Sequence, residues 1–237
     1  MKNNKNGFTL VEILVALFIG TLMLMAIYAV VNSAQQSSSG IEKKVTAQQD
    51  ARSALDLMAM EIRMASYNPN LMPNIWVDTG NCFSAATNQN YRGIQEATAT
   101  SLTVEMDIDD SSSVSDHANE VIRYNYNAVN QYITRSTNCG VSQPFLGATN
   151  ANEANKTVLV VNNSPDPAVP IFRYYDGSGV EIPVNGTDLG GRIPDIRRVE
   201  ITLVLDTAYN GPGVSGRKRI IYSTSIIPRN HIPTYSY

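Results

Sequence analysis

The chain has 237 residues, with 18 lysines and arginines against 21 aspartates and glutamates, so its formal net charge is −3. That balance argues against a nucleic-acid-binding protein, which would carry a basic stripe or patch. About 170 residues (69 to 237) follow an N-terminal helical region, which is enough to bury one core, and no shift in composition divides them into two domains.

The N-terminal region is dominated by an uninterrupted apolar segment from residue 8 to residue 31, and Glu12 is its only charged side chain. About 20 apolar residues span a bilayer, and a carboxylate near the bilayer centre costs about 2.5–3.5 kcal/mol. A lone acid in such a segment therefore indicates a function, and its partner should be identified. Cleavage after Gly7 would give Phe8 a positively charged amine, which a neighbouring subunit could place beside Glu12.

Three other interpretations of this segment remain open. A secretory signal peptide has an apolar core of about 7–15 residues followed by a small-residue cleavage site. Here the apolar run is longer, and only weak cleavage sites follow it, at Ala29 with Val31 or at Ser33-Ala34. A plain membrane anchor fits the length but explains neither Glu12 nor the Gly-Phe junction. The third alternative is a buried core helix of a soluble protein.

Gly7, Phe8, Thr9 and Glu12 together resemble the processing site of the type IV pilin family, which includes the pseudopilins of type II secretion. The resemblance implies that a prepilin peptidase removes residues 1–7 on the cytoplasmic side and N-methylates Phe8. It also implies that Phe8, Thr9 and Glu12 act in assembly, with Glu12 paired to the Phe8 amine of an adjoining subunit.

The leader contains Lys2 and Lys5, so the positive-inside rule keeps it cytoplasmic and predicts export of the rest. The mature chain would have 230 residues (237 − 7) and a formal charge of −5 (16 basic minus 21 acidic residues). The net negative charge of the exported domain bears mainly on its solubility.

The helix is predicted to continue past the membrane face, from about residue 8 to about residue 67. A series at steps of three and four predicts one face of this helix: Ile41, Val45, Gln48, Arg52, Leu55, Met58 and Ile62. The cleaner apolar stripe is Ala51, Leu55, Met58, Ile62 and Ala65. Glu61 and Arg63 lie off this stripe. Pro69 ends the helix, which would be about 90 Å long.

The weakest part of this predicted helix is Ser37-Ser38-Ser39-Gly40, where poor helix formers cluster. A bend or local melting there is one expectation. Two separate helices joined at this point are the alternative.

After Pro69 the apolar pattern becomes strand-like, and seven or eight strands are predicted. Alternating or continuous apolar runs lie at 101–107, 120–126, 131–135, 157–161, 171–175, 180–182, 198–205 and 219–226. The run at 157–161 is typical of a strand buried on both faces. One long helix followed by these strands predicts an α+β pilin fold with a mostly antiparallel sheet.

The order of the later elements resembles the PilW-type minor pilins and, more distantly, the J-type minor pseudopilins of type II secretion. Phe172-Arg173-Tyr174-Tyr175-Asp176 with its glycine turn precedes Ile196-Arg197-Arg198-Val199-Glu200-Ile201, and a last strand ends at Pro228-Arg229-Asn230. Ala29 stands where major pilins often carry a proline. The resemblance divides the chain into a leader (1–7), a membrane or filament-core half-helix (8–31), an amphipathic half-helix (32–68) and a β-rich head (69–237).

Cys82 and Cys139 are the only cysteines. Two cysteines in an exported domain usually pair, so we expect a disulfide between them. A metal site would need more ligands, because His117 and His231 are far apart in sequence and no CxxC pair exists. No base near either cysteine suggests a nucleophile.

The densest acidic stretch is 107–116, where Asp107, Asp109, Asp110 and Asp116 are weak calcium candidates. The stretch lacks the mid-loop glycine and final glutamate of an EF-hand, and Ser112 and Ala118 stand at those positions. A solvated loop between strands is the favoured interpretation, with no metal.

The sequence as a whole predicts a non-enzymatic minor type IV pilus subunit without a cofactor, which primes or caps the filament. Its expected partners are other major and minor pilins, the prepilin peptidase and the inner-membrane assembly platform, with no nucleic acid. The expected location is the bacterial inner membrane, single-pass with a periplasmic head, and then the pilus at the cell surface. A minor pseudopilin of type II secretion is the first alternative, and a membrane-anchored periplasmic enzyme or binding domain is the second.

Overall fold

The computed structural model describes residues 7–147, 158–184, 186, 188–211 and 214–232, with the backbone alone for 208–211 and for 214 and 215. One α-helix, α1, runs from Leu10 to Met64. At 1.5 Å per residue its 55 residues are about 80 Å long. It ends four residues before the predicted boundary at 68, because Ser66 has a left-handed backbone (φ +66°) and donates its N–H to the Glu105 carbonyl at 2.8 Å.

The helix is continuous through the serine-rich stretch before Gly40, so neither the expected local melting nor the two-helix alternative is observed. Gly40 is buried. Helix propensity is a weak preference that packing routinely outweighs.

The predicted apolar stripe is confirmed, because all five of its members are buried: Ala51, Leu55, Met58, Ile62 and Ala65. The longer series is wrong at its start, since Ile41 is 60% exposed and Val45 is 45% exposed. The head therefore covers only the C-terminal part of the helix.

The described residues form twelve strands. They are β1 Val77–Asp78, β2 Asn81–Ala85, β3 Ile94–Ala97, β4 Ser101–Glu105, β5 Val121–Asn127, β6 Tyr132–Thr137, β7 Gln143–Leu146, β8 Val158–Val160, β9 Phe172–Tyr175, β10 Glu181–Ile182, β11 Arg198–Gly211 and β12 Val214–Ile226. Short 3₁₀ helices lie at Gln89–Tyr91 and Gly190–Asp195. All eight predicted strands are present, and β1, β2, β3 and β7 were not predicted.

The strands form two five-stranded antiparallel sheets and a small ribbon. The first sheet has the order β3-β4-β5-β6-β7, and β1 pairs with β2 in the ribbon. In the second sheet the order is β10-β9-β11-β12, and β8 pairs with the far half of β11, beyond β9. The helix packs mainly on β11 and also touches β12 and β7. The α+β prediction, with a long helix on a mostly antiparallel head, is confirmed.

The main core joins the helix to both five-stranded sheets, and its largest fully buried side chains include Met58, Ile62, Tyr124, Phe172 and Tyr174. The apolar run at 158–161 is buried throughout, as predicted, while Thr157 lies outside the described residues. A second cluster surrounds the ribbon, formed by Ile75, Trp76, Val77, Cys82, Ala86, Val114 and Val121.

Glu61 lies off the apolar stripe, yet it is only 5% exposed. Its carboxylate accepts hydrogen bonds from the Arg135 guanidinium on β6 and from the Tyr124 hydroxyl on β5. A buried carboxylate needs such partners. The helix is therefore joined to the first sheet by an ion pair as well as by apolar packing.

Candidate functional site: the N-terminal helix

The head does not pack against the apolar half of the helix. From Phe8 to Val31 every residue is exposed except Gly20, which is half-buried. This helix is long and apolar enough to cross a membrane, and none of its most apolar 18-residue window is buried in the protein. A surface of this kind marks contact with lipid or with other proteins.

Thr9 and Glu12 form a capping box at the start of the helix. The Thr9 hydroxyl accepts the Glu12 N–H at 3.3 Å, and Glu12 Oε2 accepts the Thr9 N–H and hydroxyl, each at 2.9 Å. These bonds satisfy N–H groups that a helix start leaves unpaired, and the carboxylate lies at the positive end of the helix dipole. The spacing Thr-x-x-Glu is the sequence signal for this role of Thr9, which the sequence analysis did not use.

Phe8 and Gly7 precede the helix in extended or irregular backbone. Phe8 is 86% exposed, and with Glu12 it lines one shallow groove along the helix. A Cβ added at Gly7 would meet no atom within 4 Å. The fold itself therefore does not require glycine at position 7. Lys2 and Lys5 lie outside the described residues.

The structure contains the expected disulfide. Cys82 on β2 is bonded to Cys139, which follows β6. Their Cα atoms are 5.7 Å apart, and the two residues are 57 positions apart in sequence. The bond ties the β1-β2 ribbon to the first sheet. In the chain-entropy account, closing a loop of this length contributes about 4 kcal/mol.

The acidic stretch brings together a different set of carboxylates from the one predicted. Ligand oxygens of Asp107, Asp109 and Glu120 lie within 4.8 Å of one another. Asp110 instead accepts a hydrogen bond from Asn70 at 2.6 Å. Glu120 was missed because it follows the acidic run and joins it only through folding. Asp116, which is exposed, interacts with Glu120 and lies outside the close trio.

Backbone amides already occupy the buried carboxylates of this group. Asp107 accepts the N–H groups of Ser111 and Ser112 at 3.1 and 3.0 Å, and Glu120 accepts those of Ile108 and His117 at 3.1 and 2.9 Å. Asp107 is 0% exposed, so the expectation of a wholly solvated loop is wrong for that residue. These oxygens shape the loop between β4 and β5.

Residues 2–28 match the family described as the prokaryotic N-terminal methylation motif. No curated protein and no solved structure shows a significant match to the chain. The motif supports a type IV pilin-like or pseudopilin subunit, a structural type of protein. The motif and the exposed apolar helix are consistent with membrane anchoring and with assembly alongside other pilin-type subunits.

Proposed function

We propose that the protein is a minor type IV pilus subunit that primes or caps the filament. It is made as a prepilin, cut between Gly7 and Phe8, N-methylated at Phe8 and held in the inner membrane with its head in the periplasm. The observation that carries the proposal is the fully exposed apolar run that starts at the methylation motif and contains Glu12 as its only charge. An assembly platform then moves the helix from lipid into the filament core.

Glu12 is suited to guide that transfer. Both bonds from Thr9 reach Oε2, and no described residue donates to Oε1. The capping box is therefore compatible with a second donor at Oε1, which would be the methylated Phe8 amine of the adjoining subunit. Leaving one member of a buried ion pair without its partner typically costs about 3–5 kcal/mol. Pairing of the two charges would thus favour one axial register of the helices.

The minor role rests on the PilW-like order of the late elements and on the uninterrupted helix around Ala29. A minor pseudopilin of type II secretion shares the same N-terminal chemistry and is the alternative. The two differ in location, because a pilus subunit occurs in filaments sheared from the cell surface and a pseudopilin stays in the cell envelope.

Intact mass spectrometry of the chain from sheared filaments and from membranes tests this proposal. We expect a species that begins at N-methylated Phe8 in both fractions. Gly7→Val should leave a full-length precursor in the membrane, whereas Gly20→Val, at another glycine with open space around it, should mature normally. An intact leader in the native protein, or normal maturation of Gly7→Val, would contradict the proposal.

A further inference from the structure

A cleft of about 600 Å³ lies beside the C-terminal end of the helix. Its walls are the segment that follows the helix, the short 3₁₀ helix Gln89–Tyr91 with Arg92, and the loop around Asn230 and Ile232. Because α1 ends at Met64, the cleft lies about 80 Å along the helix from the apolar N-terminus. The N-terminal motif has no part in it.

Arg92, on the wall of this cleft, has no acidic partner among the described residues. Its Nη1 donates to the Ile232 carbonyl, and burial and the nearby Arg197 guanidinium both lower the pKa of Arg92. Within the described part of the chain, Arg197 likewise donates only to carbonyls, those of Pro194, Ile196 and His231 at 2.8, 2.6 and 3.2 Å. Two guanidinium groups thus lie near each other at this end of the head, and no described carboxylate is bonded to either.

The rim of the cleft presents large apolar side chains to solvent. Leu71 is 85% exposed and has a left-handed backbone (φ +50°), a conformation that costs energy for a bulky residue. The Asn68 side chain holds this turn, donating to the Met72 carbonyl at 2.9 Å and accepting the Met72 N–H at 3.0 Å. Ile232 is 55% exposed and Met72 is 43% exposed. The turn therefore displays apolar side chains that the head itself does not cover.

We infer that this cleft, defined by Tyr67, Leu71, Met72, Arg92 and Ile232, is a docking surface for a protein that presents a carboxylate surrounded by apolar side chains. Arginine, tyrosine and methionine, three of the five residue types that define the cleft, are enriched at protein interfaces. The positive charge of Arg92, which no described carboxylate neutralises, favours an acidic group on the partner. A small anionic ligand would leave the apolar rim exposed.

A photo-crosslinking amino acid at Met72 tests the surface in the full-length chain in intact cells. We expect an adduct with a different polypeptide, in which the linked peptide contains an aspartate or glutamate beside apolar residues. Arg92→Glu should lower the yield about tenfold or more, the loss typical of a central arginine. Lys218→Glu is the matched control, because it makes the same change of charge on exposed β12, about 25 Å along the strand from the cleft end.

Exchanging the charges of Arg92 and its partner residue distinguishes a loss of docking from a loss of folding. Arg92→Glu combined with lysine or arginine at the identified acidic position of the partner should restore the adduct, and Arg92→Gln should lower it without adding negative charge. Unchanged thermal unfolding of each variant shows that the head is intact. A crosslink to the chain's own residues or to carbohydrate, no protein adduct, or a yield that Arg92→Glu and Arg92→Gln leave unchanged would overturn the inference. Processing at Gly7 is measured separately and does not affect this result.

Discussion

Arg135 on β6 and Glu61 on the helix form an ion pair in which Nη2 lies 2.6 Å from Oε1, and Nε lies 3.3 Å from Oε2. The Glu61 side chain is 7% exposed and that of Arg135 is 21% exposed. The Tyr124 hydroxyl also donates to Glu61, and Arg135 donates to Asn119 at 3.0 Å. This network fixes the helix against the first sheet, next to the apolar stripe that contains Met58 and Ile62.

Removing one member of this pair should destabilise the head strongly. Arg135→Met leaves the Glu61 carboxylate buried without its counterion, and we expect a loss of about 3–5 kcal/mol in the free energy of unfolding. Urea denaturation of the full chain in detergent measures it. Arg219→Met is the control, because its partner Asp206 lies at 2.8 Å but Arg219 is 42% exposed, so about 0–1 kcal/mol should be lost. Equal effects of the two substitutions would contradict this account.

His231 should make the head sensitive to acid. The ring is 2% exposed, Nδ1 accepts from the Ser66 hydroxyl (2.8 Å) and Nε2 donates to the Ile193 carbonyl (3.0 Å). Burial, with Arg197 and Arg92 nearby, lowers the pKa of His231 from 6.5 to about 4. As pH falls below 6.5 the unfolded chain binds a proton before the folded chain does, so stability falls by about 3 kcal/mol towards pH 4.

The difference in unfolding free energy between the native chain and His231→Gln isolates this effect from other titrating groups. This stability advantage of the native chain should shrink as pH falls from 7 to 4, because the variant has no imidazole to protonate. His117→Gln, at an exposed histidine, should follow the native curve. A constant difference between the native chain and His231→Gln would show that His231 does not titrate in this way.

Glu105 should have the opposite dependence on pH. It is 0% exposed, Oε2 accepts the Val77 N–H at 3.1 Å, and Oε1 has no described hydrogen-bond partner. Burial raises the pKa of Glu105 from 4.5 to about 8, and the nearby Asp78 charge adds to the rise. The unfolded chain loses this proton first, so stability is complete below about pH 4.5 and falls by about 5 kcal/mol as pH rises through 8.

Glu105→Gln mimics the protonated acid and should therefore melt at a higher temperature than the native chain at pH 8. The gain should vanish near pH 4. Glu181→Gln, at an exposed site, should change the melting temperature little at either pH. A Glu105→Gln variant that is less stable than the native chain at pH 8 would refute the assignment of a neutral Glu105.

Local patterns predicted the helix, eight strands and the processing motif, because each of these depends on residues that are close together in sequence. The stripe that contains Met58 and Ile62 has helical spacing, and the strands at β4, β5 and β11 have clear apolar runs. The unpredicted strands are short or irregular, and β7 contains Pro144, which usually argues against a strand.

Relationships between distant residues could not be predicted in the same way. Glu61 and Arg135 are 74 residues apart, and Ser66 and His231 are 165 apart, so their pairing depends on the folded topology. The same limit applies to Glu120, whose contact with Asp107 needs β4 and β5 to pair. The helix also continues through the serine-rich stretch before Gly40, although serine and glycine are poor helix formers, so local propensity did not predict its course there.

The amount of Glu12→Gln chain in sheared filaments, at equal amounts in the membrane, tests the central claim most directly. Glutamine keeps the shape and hydrogen bonding of glutamate, and without the charge the helix is easier to hold in lipid. In the filament, however, the Phe8 amine of the neighbouring subunit would lose its counterion, which typically costs about 3–5 kcal/mol. We therefore expect normal export and cleavage but strongly reduced incorporation, with Glu42→Gln, at an exposed glutamate outside the apolar run, incorporated normally. Native amounts of Glu12→Gln in the filaments would contradict the claim.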